Sequence, residues 1–216
     1  MPDPWETLSS WLPGLPPAAL PRLQDYATRM EDWNTKVNLV SRKDMDQFVT
    51  KHLAHCLAAT TFLRLMEGMQ ILDVGTGGGL PGIPLAICYP QAQFTLIDSV
   101  GKKVKVVEDI AKGMALKNVK TLQARAESLP AKRKFDFVTG RAVTRIPDFY
   151  GWTKDKLRTG RKNSIPNGLL YWKGGDWKEE LKGLRLQPAR TWDVAKILPN
   201  GDFADKHILL FPPEKY

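Results

Sequence analysis

Gly75, Gly77 and Gly79 alternate directly after the apolar run Ile71–Val74, and two carboxylates bracket them. Asp73 stands two residues before the first glycine, and Asp98 ends the next apolar run, FTLID. A glycine turn at the carboxyl end of a buried strand removes the Cβ atoms that would keep a nucleotide-like ligand off the backbone. An acid at the end of the following strand can accept hydrogen bonds from both ribose hydroxyls of an adenosine. Gly77, Gly79 and Gly82 also satisfy G-x-G-x-x-G, so a nicotinamide dinucleotide fits the loop as well. Asp73 argues against it, because a pyrophosphate at this turn would meet a negative charge at close range. A sulfonium and an ammonium group would be favoured there. The two acids around D-x-G-x-G-x-G therefore point to S-adenosyl-L-methionine ahead of a dinucleotide.

These residues need a sheet to hold them. From Met69 onward, short β-branched or aromatic runs alternate with helical patterns: MQILDVG, FTLID, VKTLQ, FDFVTG and GLLYWKG. Strands separated by helices imply a doubly wound α/β domain with a mostly parallel sheet and right-handed crossovers. The last two runs, near ARTWDVAKIL and KHILLF, have no helix between them, which predicts an antiparallel pair near one edge and about seven strands in all. Val100, Val104, Val107, Ala111 and Met114 predict one apolar helix face. Before the sheet, Trp5–Leu12, Leu20–Met30 and Met45–Cys56 have helical spacing, with Ser41 or Asp44 placed to cap the third. Residues 1–67 are read as a helical extension and 68–216 as the cofactor-binding domain. Residues 158–167, RTGRKNSIPN, read as a flexible loop.

The net charge of +9 is unevenly spread. Residues 101–141 carry 11 basic against 4 acidic groups, net +7, and residues 151–190 carry 10 against 4, net +6. The glycine segment between residues 71 and 100 holds only Asp73 and Asp98. Basic segments flanking a small-ligand site favour an anionic macromolecule as partner. Hydrophobic residues at 43% and charged residues at 25% are ordinary for a globular chain, and no apolar run approaches a bilayer span. MPDPWETLSS has no basic stretch leading into an apolar one, so a cytoplasmic protein without a secretory signal is expected. Cys56 and Cys88 form no pair or metal-spaced cluster, and neither a metal nor a membrane partner is expected.

Several segments together resemble the RsmG (GidB) family, which methylates N7 of a guanine in the 530 loop of small-subunit ribosomal RNA. They are WNTKVNLVS (Trp33–Ser41), KHLAHCL (Lys51–Leu57), DVGTGGGLPGIPLAI (Asp73–Ile87), LIDSVGKKVKVVEDI (Leu96–Ile110), ARAESL (Ala124–Leu129), FDFVTGRAV (Phe135–Val143) and YWKGG (Tyr171–Gly175). The resemblance implies that Gly75 and Leu80 supply backbone at the methionine end of S-adenosyl-L-methionine. It implies that Ala126 and Glu127 frame the adenine, and that Arg141 faces the site. Arg125 and Lys173 align with substrate-side positions. Lys51 and His52 begin a segment that reads R-H-x-x-D-S in the family, where His55 and Cys56 replace its acid and hydroxyl. Lys51, His52, Arg125 and Lys173 are thus the RNA-side candidates. His52 also falls on the apolar helical face, where a core histidine is the competing reading.

The implied chemistry needs no base. Guanine N7 has an exposed lone pair and no proton at neutral pH, so acceleration rests on alignment and exclusion of water. No covalent catalyst is assigned, and Arg141 is the best positioning candidate. Pyrimidine C5 methylation needs an activated cysteine, and neither Cys56 on its helix nor Cys88 at the end of another suits that role. TGRAVTRIP occupies the place of the Asn/Asp-Pro-Pro-aromatic loop associated with exocyclic amine methylation. The partner implied is small-subunit ribosomal RNA or the assembling small subunit. A nicotinamide-dependent oxidoreductase and a non-enzymatic RNA-binding assembly factor of methyltransferase-like fold are the alternatives.

Overall fold

The computed structural model describes residues 3–132, 134–161, 165–199 and 201–213. Among these residues seven strands form one sheet: β1 (Gln70–Val74), β2 (Gln93–Asp98), β3 (Val119–Gln123), β4 (Phe137–Arg141), β5 (Gly168–Lys173), β6 (Arg190–Asp193) and β7 (His207–Phe211). Their order is β3-β2-β1-β4-β5-β7-β6, parallel except that β7 runs antiparallel to both β5 and β6. The expected antiparallel pair is thus present, with β7 inserted beside β5 and β6 on the edge. From β1 the chain winds outward to β2 and β3, then returns to β4 on the other side. The loops after β1 and β4 consequently diverge, and a crevice opens at the carboxyl ends of the two strands.

Ile71–Val74 and Phe137–Gly140 are buried because helices cover both sheet faces, which is why these strands read as apolar runs rather than alternating ones. On one face, Leu96, Leu170, Trp172 and Leu210 share a core with the N-terminal helices and with α4 (Gly82–Cys88) and α5 (Gly101–Gly113). On the other, Leu72, Val74, Val138, Tyr171 and Leu209 pack with α6 (Ile146–Thr153).

The N-terminal segment opens with α1 (Pro4–Trp11), capped by the Asp3 carboxylate, and α2 (Ala19–Asn34), as their periodicity predicts. The third predicted helix is broken instead into a 3₁₀ turn (Arg42–Gln47), a π-helical turn (Phe48–Leu53), α3 (Ala54–Leu57) and a second 3₁₀ turn (Ala58–Thr61). Ser41 holds the N-cap position of the first turn without a side-chain bond. Such changes of pitch rotate successive side chains away from a single stripe. Val100 is a second departure: it precedes α5 and is 47% exposed, while Val106 and Ile110 join the buried face. Pro81 holds the N-cap position of α4. In the predicted loop, Ile165 and Asn167 are buried, and residues 162–164 lie outside the described residues.

Candidate active site

The turn after β1 is built by fixed backbone geometry. Gly75, Gly77 and Gly79 have φ of 66°, 58° and 97°. Two of the three illustrate why glycine is required. A Cβ on Gly75 would lie 2.9 Å from Val143 Cγ2, so the turn and the loop after β4 touch only because that atom is missing. A Cβ on Gly77 would meet nothing nearer than the Gly75 carbonyl oxygen at 4.0 Å, so this residue borders open space. From behind, α2 supports the turn: Tyr26 donates its hydroxyl to the Gly78 carbonyl at 2.8 Å, and Met30 packs where a Gly78 side chain would sit. Asn34 Oδ1 accepts the amides of Leu39 and Val40, bringing Leu39 against the same glycine.

Asp98 is the carboxylate at the rim. Its Oδ2 accepts the Gly77 amide at 3.0 Å and its Oδ1 accepts the Val100 amide at 2.9 Å. It therefore ties the glycine turn to the end of β2, and each oxygen keeps a further lone pair. A cavity of about 220 Å³ adjoins it, lined by Gly75, Ser99, Ala126, Glu127, Val143 and Trp152, with Arg125 also on its wall. Larger hollows lie elsewhere: two of about 400 and 480 Å³ around Lys117 at the opposite end of the sheet, and two of about 410 Å³ beside Glu31 and Met45 in the N-terminal segment. The smaller cavity sits where the ligand of a doubly wound sheet belongs.

Asp73 is placed differently from Asp98. It is fully buried, its Oδ1 accepting the Thr139 hydroxyl at 2.7 Å and its Oδ2 the Gly82 amide at 3.2 Å. Burial pushes its pKa up to about 6 against these hydrogen bonds. It acts from behind the turn, bracing β1, β4 and the start of α4, rather than lining the cavity. Leu80 is likewise buried and does not line the cavity.

Arg141, at the end of β4, directs Nη1 to His52 Nδ1 at 3.0 Å. Its partner is thus an imidazole from the N-terminal segment and not Asp148, the acid nearby in sequence. Burial and the adjacent guanidinium lower the His52 pKa to about 4, so the ring is neutral near pH 7. Accepting at Nδ1 then leaves the proton on Nε2, which faces the Asp44 carboxylate at 3.8 Å. His52 is neither a simple core residue nor an open RNA ligand.

The remaining candidates divide. Arg125 is exposed at the cavity rim. Lys51 lies 3.6 Å from Asp202 and 3.9 Å from Asp44. Lys173 is spent within the protein, pairing with Glu180 at 2.7 Å and donating to the Thr144 carbonyl at 3.1 Å. Trp172 is 1% exposed and gives its indole N–H to the His55 carbonyl, whereas Trp152 reaches the cavity. Cys56 and Cys88 are buried thiols pushed up to about 11 and 12, the wrong direction for a nucleophile. Val143, Ser99 and Tyr171 lie inside segments that carry the family resemblance but were given no role there, and Glu180 lies outside them. The GRAV segment, which ends on Val143, pointed to that loop.

The fit to S-adenosyl-L-methionine rests on three features: the open face of Gly77, the lone pairs of Asp98 at the rim, and the cavity floor at Ala126 and Glu127. Together with the strand order they define a doubly wound, S-adenosyl-L-methionine-dependent methyltransferase. Solved structures support the fold: a SAM-dependent methyltransferase from Aquifex aeolicus (18% identity, TM-score 0.54, 74% of this chain and 89% of that one) and a fibrillarin/Nop5p complex (13%, TM-score 0.55, 75% and 80%). The [4+2]-cyclase SpnF is comparably similar (19%, TM-score 0.56, 85% and 77%), so fold alone does not define the reaction. Sequence does so more narrowly. The chain belongs to the family described as GidB, rRNA small subunit methyltransferase G, which it matches over residues 19–191. Relatives called ribosomal RNA small subunit methyltransferase G include those of Flavobacterium johnsoniae (42% identical, covering 96% of this chain and 97% of the relative) and Cytophaga hutchinsonii (44%, covering 84% and 86%).

Proposed function

We propose that this methyltransferase transfers the methyl group to N7 of a guanine in the 530 loop of small-subunit ribosomal RNA, held at the crevice between the ends of β1 and β4. One observation carries the geometry: Asp98 clamps the Gly77 amide at the rim of a cavity whose opposite wall is the loop after Arg141. Gly75, Gly77 and Asp98 would hold the adenosine and turn side of the cofactor, Ala126 and Glu127 would frame its adenine, and Asp73, Gly79 and Leu80 would keep the turn in shape from behind. When bound, the cofactor supplies a methyl group on a cationic sulfur. The protein's part is placement. Arg141, its orientation set by His52, provides a forked donor at the end of β4, suited to a carboxylate or to guanine O6. A neutral His52 and a hydrogen-bonded Asp73 fit a reaction in which no proton has to be removed from the target nitrogen. Buried, inert thiols at Cys56 and Cys88 favour N7 chemistry over pyrimidine C5 chemistry.

RNA contact is assigned to Arg125 at the rim and to Lys102 at the start of α5, whereas Lys112, Lys117 and Lys120 lie toward the opposite end of the sheet. Lys51 and Lys173 take supporting roles through their acidic partners. Residues 1–67 are read as an extension, on the ground that Tyr26, Met30 and Leu39 pack against the glycine turn. No helix among the described residues is long and apolar enough to cross a membrane, and no group of three or more His, Cys, Asp or Glu there has the geometry of a metal site. Ribosomal RNA in the cytoplasm is the substrate pool this reading requires.

Deproteinised small-subunit RNA and assembled small subunits, each incubated with methyl-labelled cofactor, test the reading. Borohydride–aniline scission should cut at one guanine in the 530 loop. Label at another atom or in another region would refute it, and the ratio between the two substrates tells whether naked RNA or the particle is preferred.

A further inference from the structure

The loop after β4 carries Arg141 and Val143 to the crevice, and its backbone does not rest there unaided. Ala142 has φ of 54°, a left-handed conformation that non-glycine residues rarely adopt and that persists only where the surroundings over-determine it. The restraint comes from β5. Tyr171, paired in register with Gly140, stacks on Phe149 with ring centroids 4.5 Å apart, in space that a side chain at Gly140 would occupy. Its hydroxyl accepts the amides of Val143 at 3.2 Å and Thr144 at 2.9 Å, and donates to the Thr144 carbonyl at 2.5 Å. A phenol has one donor and two acceptor sites, so its whole capacity is committed to this loop. Two residues on, Lys173 donates to the same Thr144 carbonyl and pairs with Glu180, whose Oε2 accepts the Ile146 amide at 2.8 Å. From the opposite face of β5, the Trp172 indole holds the His55 carbonyl, three residues from His52. One strand thereby restrains the backbone on both sides of the Arg141–His52 contact.

We propose that Tyr171 is a positioning residue for methyl transfer: its hydroxyl fixes residues 143 and 144 and so sets Arg141 and Val143 against the glycine turn. The inference rests on the reading of Arg141 given above and extends it to a side chain that does not line the cavity.

Tyr171→Phe keeps the ring and its stacking and removes all three hydrogen bonds. Its single-turnover rate on RNA should fall at least about tenfold, while dissociation constants for S-adenosylhomocysteine and for RNA stay within about threefold of the parent, as for lost alignment rather than lost binding. A parental rate in a folded Tyr171→Phe protein overturns the proposal. Should that variant unfold at the assay temperature, it is assayed below its melting temperature beside the parent at the same temperature; a parental rate there overturns the proposal equally. Arg141→Lys and the double variant complete a cycle. If Tyr171 acts through the loop, the double variant is slower than Arg141→Lys by much less than the factor seen for Tyr171→Phe alone; fully multiplicative losses refute that route. A parental rate for Arg141→Lys beside a slow Tyr171→Phe would instead remove Arg141 from the chemistry and leave the loop acting through Val143.

Discussion

Replacing Asp98 by Asn separates the two tasks this carboxylate performs. In the folded protein its oxygens accept one backbone amide each, from Gly77 at 3.0 Å and from Val100 at 2.9 Å. Asn offers a single acceptor oxygen, so one of those amides must face an NH₂ group. The lost charge-assisted bond is worth about 1.5–3 kcal/mol. For a chain of this size that lowers the melting temperature by roughly 3–12 °C. Loss of a ribose contact of the same strength weakens S-adenosylhomocysteine binding by about 10- to 150-fold. Both effects belong to one residue, so calorimetric titration and thermal unfolding should be run on the same preparation. A folded Asp98→Asn protein with an unchanged dissociation constant would remove Asp98 from the cofactor site. Weakened binding at an unchanged melting temperature would refute the clamp on the glycine turn.

Three further outcomes are expected. Gly77→Val should abolish S-adenosylhomocysteine binding, because the turn needs φ near 58° and the added side chain enters open space at the cavity; normal calorimetric binding by the folded variant contradicts this. Acidification should destabilise the protein. His52 and His55 have pKa values of about 4 and 3, depressed first by burial, so below pH 6.5 the unfolded chain takes up protons that the folded chain refuses. Asp73, raised to about 6, opposes this between pH 6 and 3.8, because there the folded chain holds the extra proton. From pH 6.5 to 4.5 the three groups together cost roughly 2–3 kcal/mol, and His52→Gln should cut their joint effect below about 1 kcal/mol in urea titrations; an unaltered pH response in that variant would count against a neutral His52. RNA affinity should fall steeply with salt, by a log–log slope of about −3.5 if five single-strand phosphates are neutralised, while S-adenosylhomocysteine affinity barely moves. A flat RNA response would mean that the +7 and +6 segments serve only solubility.

Much of this protein is legible from residue order alone, for a physical reason: the information is local. Strand–helix alternation after Met69, the glycine turn and the acid ending β2 depend on periodicity and on backbone conformations that few residue types adopt. The same holds for α1 and α2, whose apolar spacing matches the helical period. The pitch changes after Ser41 are not local. There the chain is bent to place His52 and Leu53 against the sheet, and no periodic pattern encodes a π-helical turn. Long-range pairing decided the rest. Asp73 and Asp98 look alike in sequence as carboxylates bracketing glycines, yet Thr139 and Gly82 bury the first behind the turn while Gly77 and Val100 keep the second at the rim. Lys173 reads as a free cation until Glu180 and Thr144 claim it. Arg141 meets His52 across 89 positions of chain, and Tyr171 meets Thr144 across 27. Residue types determined which groups this protein could use; which of them face the cavity and which hold it in shape was decided by what each side chain found beside it when the sheet closed.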